Sequence, residues 1–252
     1  MVKKVNEIAA LKNYFVHHQG AIKLEELRAY FRTINPDIAN STINWRTYEL
    51  VKSAILKRTG RGLFEIGEEI SFLPKGSEQV NKISSYIKEL FPLAAYCVWD
   101  SAILNEFAQH LSGYPFLLID VERDVAESVY YRLKEKFKPV FFRLDNKLRD
   151  DLLTDFEYPL LVRYLTSESP LNYIKDIPVI SIEKLVVDIF CDAEFSYLEG
   201  SELSAIYNNA FYKYTINKNK LFRYAARKGK KEEISKFMET VKAITIIDKD
   251  DF

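Results

Sequence analysis

The feature that most limits what this chain can fold into is a change of hydrophobic period within its first 70 residues. Val5, Ile8, Ala9, Phe15 and Val16 recur at helical spacing up to His18, and Gly20 marks a stop. Ile22 makes a short extended link. "KLEELRAYF" then sets Leu24, Leu27 and Phe31 on one face of a second helix that ends before "NPD". A third helix follows, with Asn40 or Ser41 as its cap and Ile43, Leu50, Val51 and Ala54 along its inner stripe. The period then shortens. "ILKRTGRGLFEIG", residues 55–67, is two brief apolar runs around the turn Gly60-Arg61-Gly62. Helix, helix, helix, hairpin is the order of a winged helix-turn-helix, predicted over residues 1–74.

At about 100° per residue, Ile43, Thr47, Leu50 and Ala54 share one side of the third helix. Ser41, Trp45, Tyr48 and Lys52 share the opposite side. In a helix-turn-helix this helix enters the major groove with its N-terminal residues near base edges. Ser41, Thr42, Asn44 and Arg46 suit hydrogen bonds to phosphates or bases, and Trp45, Tyr48 and Lys52 complete the candidate DNA-facing surface. The plainer alternative is that Trp45 and Tyr48 pack beneath the hairpin as core. In the hairpin, Arg58 precedes and Arg61 sits within a glycine turn through which backbone and phosphate can approach closely. The charge distribution agrees: the chain is neutral, but residues 1–75 hold 12 Lys/Arg against 8 Asp/Glu.

Leu73-Pro74-Lys75-Gly76 reads as a linker, and beyond it the pattern predicts a C-terminal mixed α/β domain over 77–252. Strands in "LAAYCVW", "YPFLLIDV", "PVFFRL", "YPLLVRYL" and "IPVIS" alternate with helices near 77–90, 100–111 and 123–136, giving a core over about 77–180. From Ser181 to about 241 the chain reads as helical. The fold class is therefore α+β or α/β, a small helical-hairpin domain followed by a larger α/β one. A second candidate basic patch lies late: Lys218, Lys220, Arg223, Arg227 and Lys228 sit in a stretch without an acid from 203 to 231. It is either a set of solvated helix faces or a surface for nucleic acid or an acidic protein.

Candidate catalytic groups are sparse. Asp120, Glu122 and Asp124 alternate in "LLIDVERD", and carboxylates at a strand end can hold divalent metals. An enzyme built on them, a nuclease or nucleotidyltransferase targeted by the winged helix, is the rival expectation. A nucleotidyltransferase would add a Gly-Ser loop opening a helix upstream, but "HLSGYP" has the order reversed. Charged residues where a strand enters a helix are also ordinary N-terminal helix acids. His17, His18 and His110 read as surface residues, and Ser181 as a helix cap with Glu183 in the first turn. No P-loop or GxGxxG occurs, so no cofactor is expected. Two distant cysteines, Cys97 and Cys191, argue against a zinc site or disulfide scaffold and for a reducing, cytoplasmic setting. No apolar run is long enough to span a membrane.

"WRTYELVKSAILKRTGRGLFEIG" resembles the N-terminal winged-helix segment of the AbiEi-type antitoxins, the antitoxin half of type IV abortive-infection toxin–antitoxin pairs. "ISIEKLVVDIF" and "NKNKLFRYAARKGKKEEISKFM" resemble the helical end of the same family's second domain. The resemblance covers both ends of the chain, while 77–180 matches in layout. It implies a non-catalytic transcriptional repressor that binds operator double-stranded DNA through Ser41, Thr42, Asn44, Arg46, Lys52, Arg58 and Arg61. It also implies a functional pairing with a toxin of nucleotidyltransferase fold, without requiring direct contact. A plain protein-interaction module is the third expectation, since some winged helices bind proteins through this surface.

Overall fold

Helix-period spacing in the first part of the chain produces helices that each bury one stripe against a small sheet. In the computed structural model the described residues are 10–15, 18, 21–67, 70–110, 115–143, 156, 158–198 and 200–250. Val5, Ile8, Ala9, Val16, His17, Gly20 and Ser112 lie outside them. Residues 10–15 form a helical segment, α1. Strand β1 (Ile22–Lys23) leads into α2 (Leu24–Ile34), where the Lys23 backbone N–H donates to the Glu26 carboxylate at 2.6 Å and so fixes the helix start. Helix α3 (Asn40–Lys52) follows, then β2 (Leu56–Gly60) and β3 (Leu63–Ile66).

β3 is central in an antiparallel sheet of order β1-β3-β2. Ile22 stands opposite Phe64 and Leu56 opposite Ile66. This face closes over Leu11, Phe15, Leu27, Phe31, Ile38 and Ile43. Two expectations are corrected. Neither Asn40 nor Ser41 caps α3: Ala39 holds the N-cap position, and Arg32 donates to the Asn40 side chain at 2.8 Å. Ala54 is exposed with φ 57°, past the helix end at Lys52, so it leaves the inner stripe that Ile43 and Thr47 occupy.

The second part opens with α4 (Glu78–Leu90), capped by the Ser77 hydroxyl accepting from the Val80 N–H at 3.2 Å. β4 (Tyr96–Asp100) runs antiparallel to β5 (Leu117–Val121). The segment between them that reads as a helix to 111 is a 3-10 turn over Ser101–Glu106. α5 (Arg123–Lys136) crosses to β6 (Val140–Phe142), and β7 (Leu160–Tyr164) returns between β5 and β6 with both pairings parallel. The order is β4-β5-β7-β6. α4 and α5 cover the sheet through Ile83, Ile87, Ala126, Val129 and Leu133, all fully buried. A two-stranded ribbon, β8 (Leu171–Ile174) with β9 (Ile177–Ile180), then leads to α6 (Ile182–Cys191), α7 (Ser201–Lys213), α8 (Lys218–Arg227) and α9 (Lys231–Asp250).

The chain divides into two units, Met1–Ser71 with Lys213–Lys220, and Phe72–Tyr212 with Leu221–Phe252. The first division lies beside the linker expected at 73–76. The sequence pattern places 213–220 with the C-terminal domain, whereas in the fold this segment belongs to the N-terminal unit. Among the described residues no helix is long and apolar enough to cross a membrane.

Candidate functional site

Two arrangements are candidates, one in each unit. In the first, α3 buries Ile43 and Thr47 and turns Ser41, Thr42, Asn44, Trp45, Tyr48 and Lys52 outward. Trp45 is 62% and Tyr48 58% exposed, so neither is core beneath the hairpin. The two exposed aromatic faces are apolar area that a bound partner could cover. Asn44 accepts from Arg28 at 3.3 Å.

Arg46 is the half-buried member of the expected DNA-facing set. Its guanidinium lies 5.9 Å from the Phe31 ring centroid, and it borders an apolar cavity of about 270 Å³ together with Trp45, Ile34 and Leu50. In the hairpin, Arg58 and Arg61 are exposed, and Arg58 rests 5.6 Å from the Phe64 ring centroid. Lys57 is drawn aside to Glu65 at 3.5 Å, and Lys218 reaches the same carboxylate at 3.3 Å.

The residues of the late basic stretch divide between the two units. Lys218 and Lys220 belong to the first unit, and Arg223, Arg227 and Lys228 to the second. Arg223 and Arg227 both pair with Glu168. Lys228 is not a solvated cation at all. Its side chain is 11% exposed and its ammonium bridges Asp188, at 2.8 Å, and Asp192.

Lys228 is one member of a buried charge network in the second unit, which sequence reasoning missed. Asp120 on β5 stands opposite Arg163 on β7 in direct parallel register, and Arg163 Nε donates to Asp120 Oδ1 at 2.8 Å. Lys184 reaches Asp120 Oδ2 at 2.8 Å, and Trp99 Nε1–H donates to the same oxygen at 3.1 Å. Lys184 and Asp188, one helical turn apart on α6, also pair. Asp188 Oδ1 accepts from the Tyr224 hydroxyl at 2.8 Å, and Arg163 Nη1 donates to Asp192 at 2.9 Å. Glu194 lies 3.6 Å from Arg163.

The network sets its own protonation. Burial alone would raise the Asp120 carboxyl, but Arg163 and Lys184 outweigh it and hold the group below the usual carboxylate range. Burial likewise opposes ionised Asp188, and Lys184, Lys228 and Arg163 overcome it. Lys184 and Arg163 are held charged against burial by the same carboxylates. Asp192 goes the other way: burial and then the negative charge of Asp188 raise it, and Arg163 and Lys228 only partly compensate. Burial and Asp188 push the Tyr224 hydroxyl up to about 12.

This placement bears on the metal-site expectation. Asp120 is fully engaged by two cations, Glu122 sits at the N-cap of α5, and Asp124 is exposed in its first turn. Among the described residues no group of three or more His, Cys, Asp or Glu side chains could hold a metal ion. Ser181 caps α6 as its pattern predicts, accepting from the Lys184 N–H at 3.2 Å, and His110 is a surface residue paired with Glu202 at 3.0 Å. One signal for the network was present in the sequence: "IEKLVVDI" is buried along its whole length, yet it carries Glu183, Lys184 and Asp188. A helix hydrophobic all round has no solvated face on which to place such charges, so they must be paired inside.

Residues 42–244 match a protein family described as a family of unknown function, DUF6577. No curated protein matches the chain.

Proposed function

The chain belongs to DUF6577, a family of unknown function, and from its own surface we propose that its N-terminal unit binds double-stranded DNA as a winged helix-turn-helix. In this reading α3 lies in the major groove and the β2–β3 hairpin is the wing. The observation that carries it is the outward row Ser41, Trp45, Tyr48 and Lys52 on the helix directly before a hairpin bearing exposed Arg58 and Arg61. Arg46, half-buried on Phe31, has a supporting role. With the resemblance to AbiEi-type antitoxins, the protein acts as a cytoplasmic, non-catalytic transcriptional repressor and as the antitoxin paired with a nucleotidyltransferase-fold toxin.

The test is binding of the full chain to DNA from upstream of its own gene, titrated over salt. Wild type should bind with a steep salt dependence. Replacing both Arg58 and Arg61 by Ala should weaken binding to all sequences and lower the log–log salt slope by about 0.9 for each phosphate that is no longer neutralised. Trp45→Ala should reduce affinity without changing thermal stability, because the indole is 62% exposed. Absence of binding at low salt sinks the repressor reading. The antitoxin role is tested separately, by co-expression with the product of the neighbouring reading frame: failure to relieve toxicity removes it.

A further inference from the structure

The second unit holds a cavity of about 410 Å³ at the carboxyl ends of β5 and β7. In open sheets with parallel strands, ligands bind outside these ends, where the strand order reverses. Here β5 connects through α5 to β6 and the chain then returns to β7, so the cavity lies at that reversal. Its size falls within the roughly 300–1,000 Å³ typical of small-ligand sites.

The wall is made of charge rather than apolar side chains. Interior ion networks are often no more stable than apolar replacements of the same shape, so their presence calls for a role. The carboxylates of the wall are already engaged: Asp120 by Arg163 and Lys184, Asp192 by Arg163 and Lys228, and Glu194 by Arg163. Among the described residues the capacity left over is cationic. Arg143 lines the cavity and makes no ion pair among the described residues; its guanidinium lies 4.9 Å from the Tyr164 ring centroid. Its backbone is left-handed, φ 50°, at the end of β6. Among the described residues Lys230, also on the wall, pairs with Glu233, both about half exposed, which is a weak claim on its charge.

We propose that this cavity binds a phosphate-bearing small molecule of nucleotide size, with its phosphate held by Arg143 and Lys230. The planar guanidinium fork matches phosphate oxygens in pairs, and the ammonium adds a second positive charge. The buried network is the rigid floor that holds Arg163, Lys184 and Lys228 in place beneath it. The site is independent of α3 and the hairpin, so its fate is separate from that of DNA binding.

The test is calorimetric titration of the full chain at low salt with inorganic phosphate and with adenosine 5′-monophosphate. The nucleotide should bind and raise the melting temperature. Arg143→Ala and Lys230→Ala should each weaken binding by about tenfold or more. Both side chains are at the surface, so the unliganded variants should melt as wild type does. Equal affinity for phosphate alone would identify the inorganic anion as the occupant and still support the site. No heat and no thermal shift with either anion at millimolar concentration would overturn the proposal, as would binding that the double variant leaves unchanged.

Discussion

Asp188 shows what a single residue does in this molecule. It is fully buried and touches Lys184, Lys228 and Tyr224. Removing its carboxylate leaves two buried ammonium groups short of a partner, so Asp188→Ala should lower the unfolding free energy by about 3–5 kcal/mol in urea titration. The pH dependence follows from the shifts. Asp120 and Asp188 titrate below their unfolded range, so their contribution is present above about pH 4 and is lost as pH falls through the folded values. Lys184 and Lys228 are raised, so theirs is present below about pH 10 and is lost as pH climbs through the folded values. Asp192, raised, works against the acid-side trend. Wild type should hold a stability plateau across neutral pH with an acid limb that is shallower in Asp188→Asn. Equal acid limbs would contradict this.

At the scale of elements, the end of α8 sets the direction of two lysine side chains. The Gly229 N–H donates to Ala226 O at 3.1 Å, and the Lys230 N–H to Ala225 O at 2.9 Å, closing the helix with Gly229 at φ +71°. This sharp stop turns Lys228 into the network and leaves Lys230 on the cavity wall. Space around Gly229 is open, so Gly229→Ala meets no neighbour and its cost is conformational, about 1 kcal/mol by thermal or chemical unfolding. The longer helices and the buried strands were legible because each repeats one apolar period: α5 covers Arg123–Lys136, the span its spacing predicts. β8 was not legible. Its four residues are half-buried or exposed, and its turn is Lys175-Asp176, both at positive φ, without the Asn-Gly or Asp-Gly pair that ordinarily announces such a hairpin.

The N-terminal unit is completed by a segment remote in sequence. Residues Lys213–Lys220 join the N-terminal unit. The Thr215 N–H donates to Ile70 O at 2.9 Å, the Ile70 N–H donates to Thr215 Oγ1 at 3.1 Å, and Lys218 meets Glu65. Gly60 faces this segment so closely that a Cβ there would stand 3.4 Å from the Asn219 side chain. A fragment of residues 1–74 therefore lacks part of its own unit. It should unfold at lower denaturant than the same unit in the full chain, by about 2 kcal/mol if the missing burial resembles one large apolar side chain. Equal stability of fragment and intact unit would show the segment to be dispensable.

By itself the sequence determined the longer helices, the buried strands and the outward row on α3, because helix and strand periods and the residues that interrupt them are local properties. The same locality made the basic hairpin readable, since its arginines and glycines are neighbours in the chain. Tertiary structure alone decided which charges meet. Asp120, Arg163 and Lys184 come from β5, β7 and α6, and Lys228 from the turn after α8, and a buried ion needs only a partner in space, at no set spacing along the chain. Lys228 is the clearest case: in the sequence it is one more cation in an acid-free stretch, and in the fold it is locked between two aspartates.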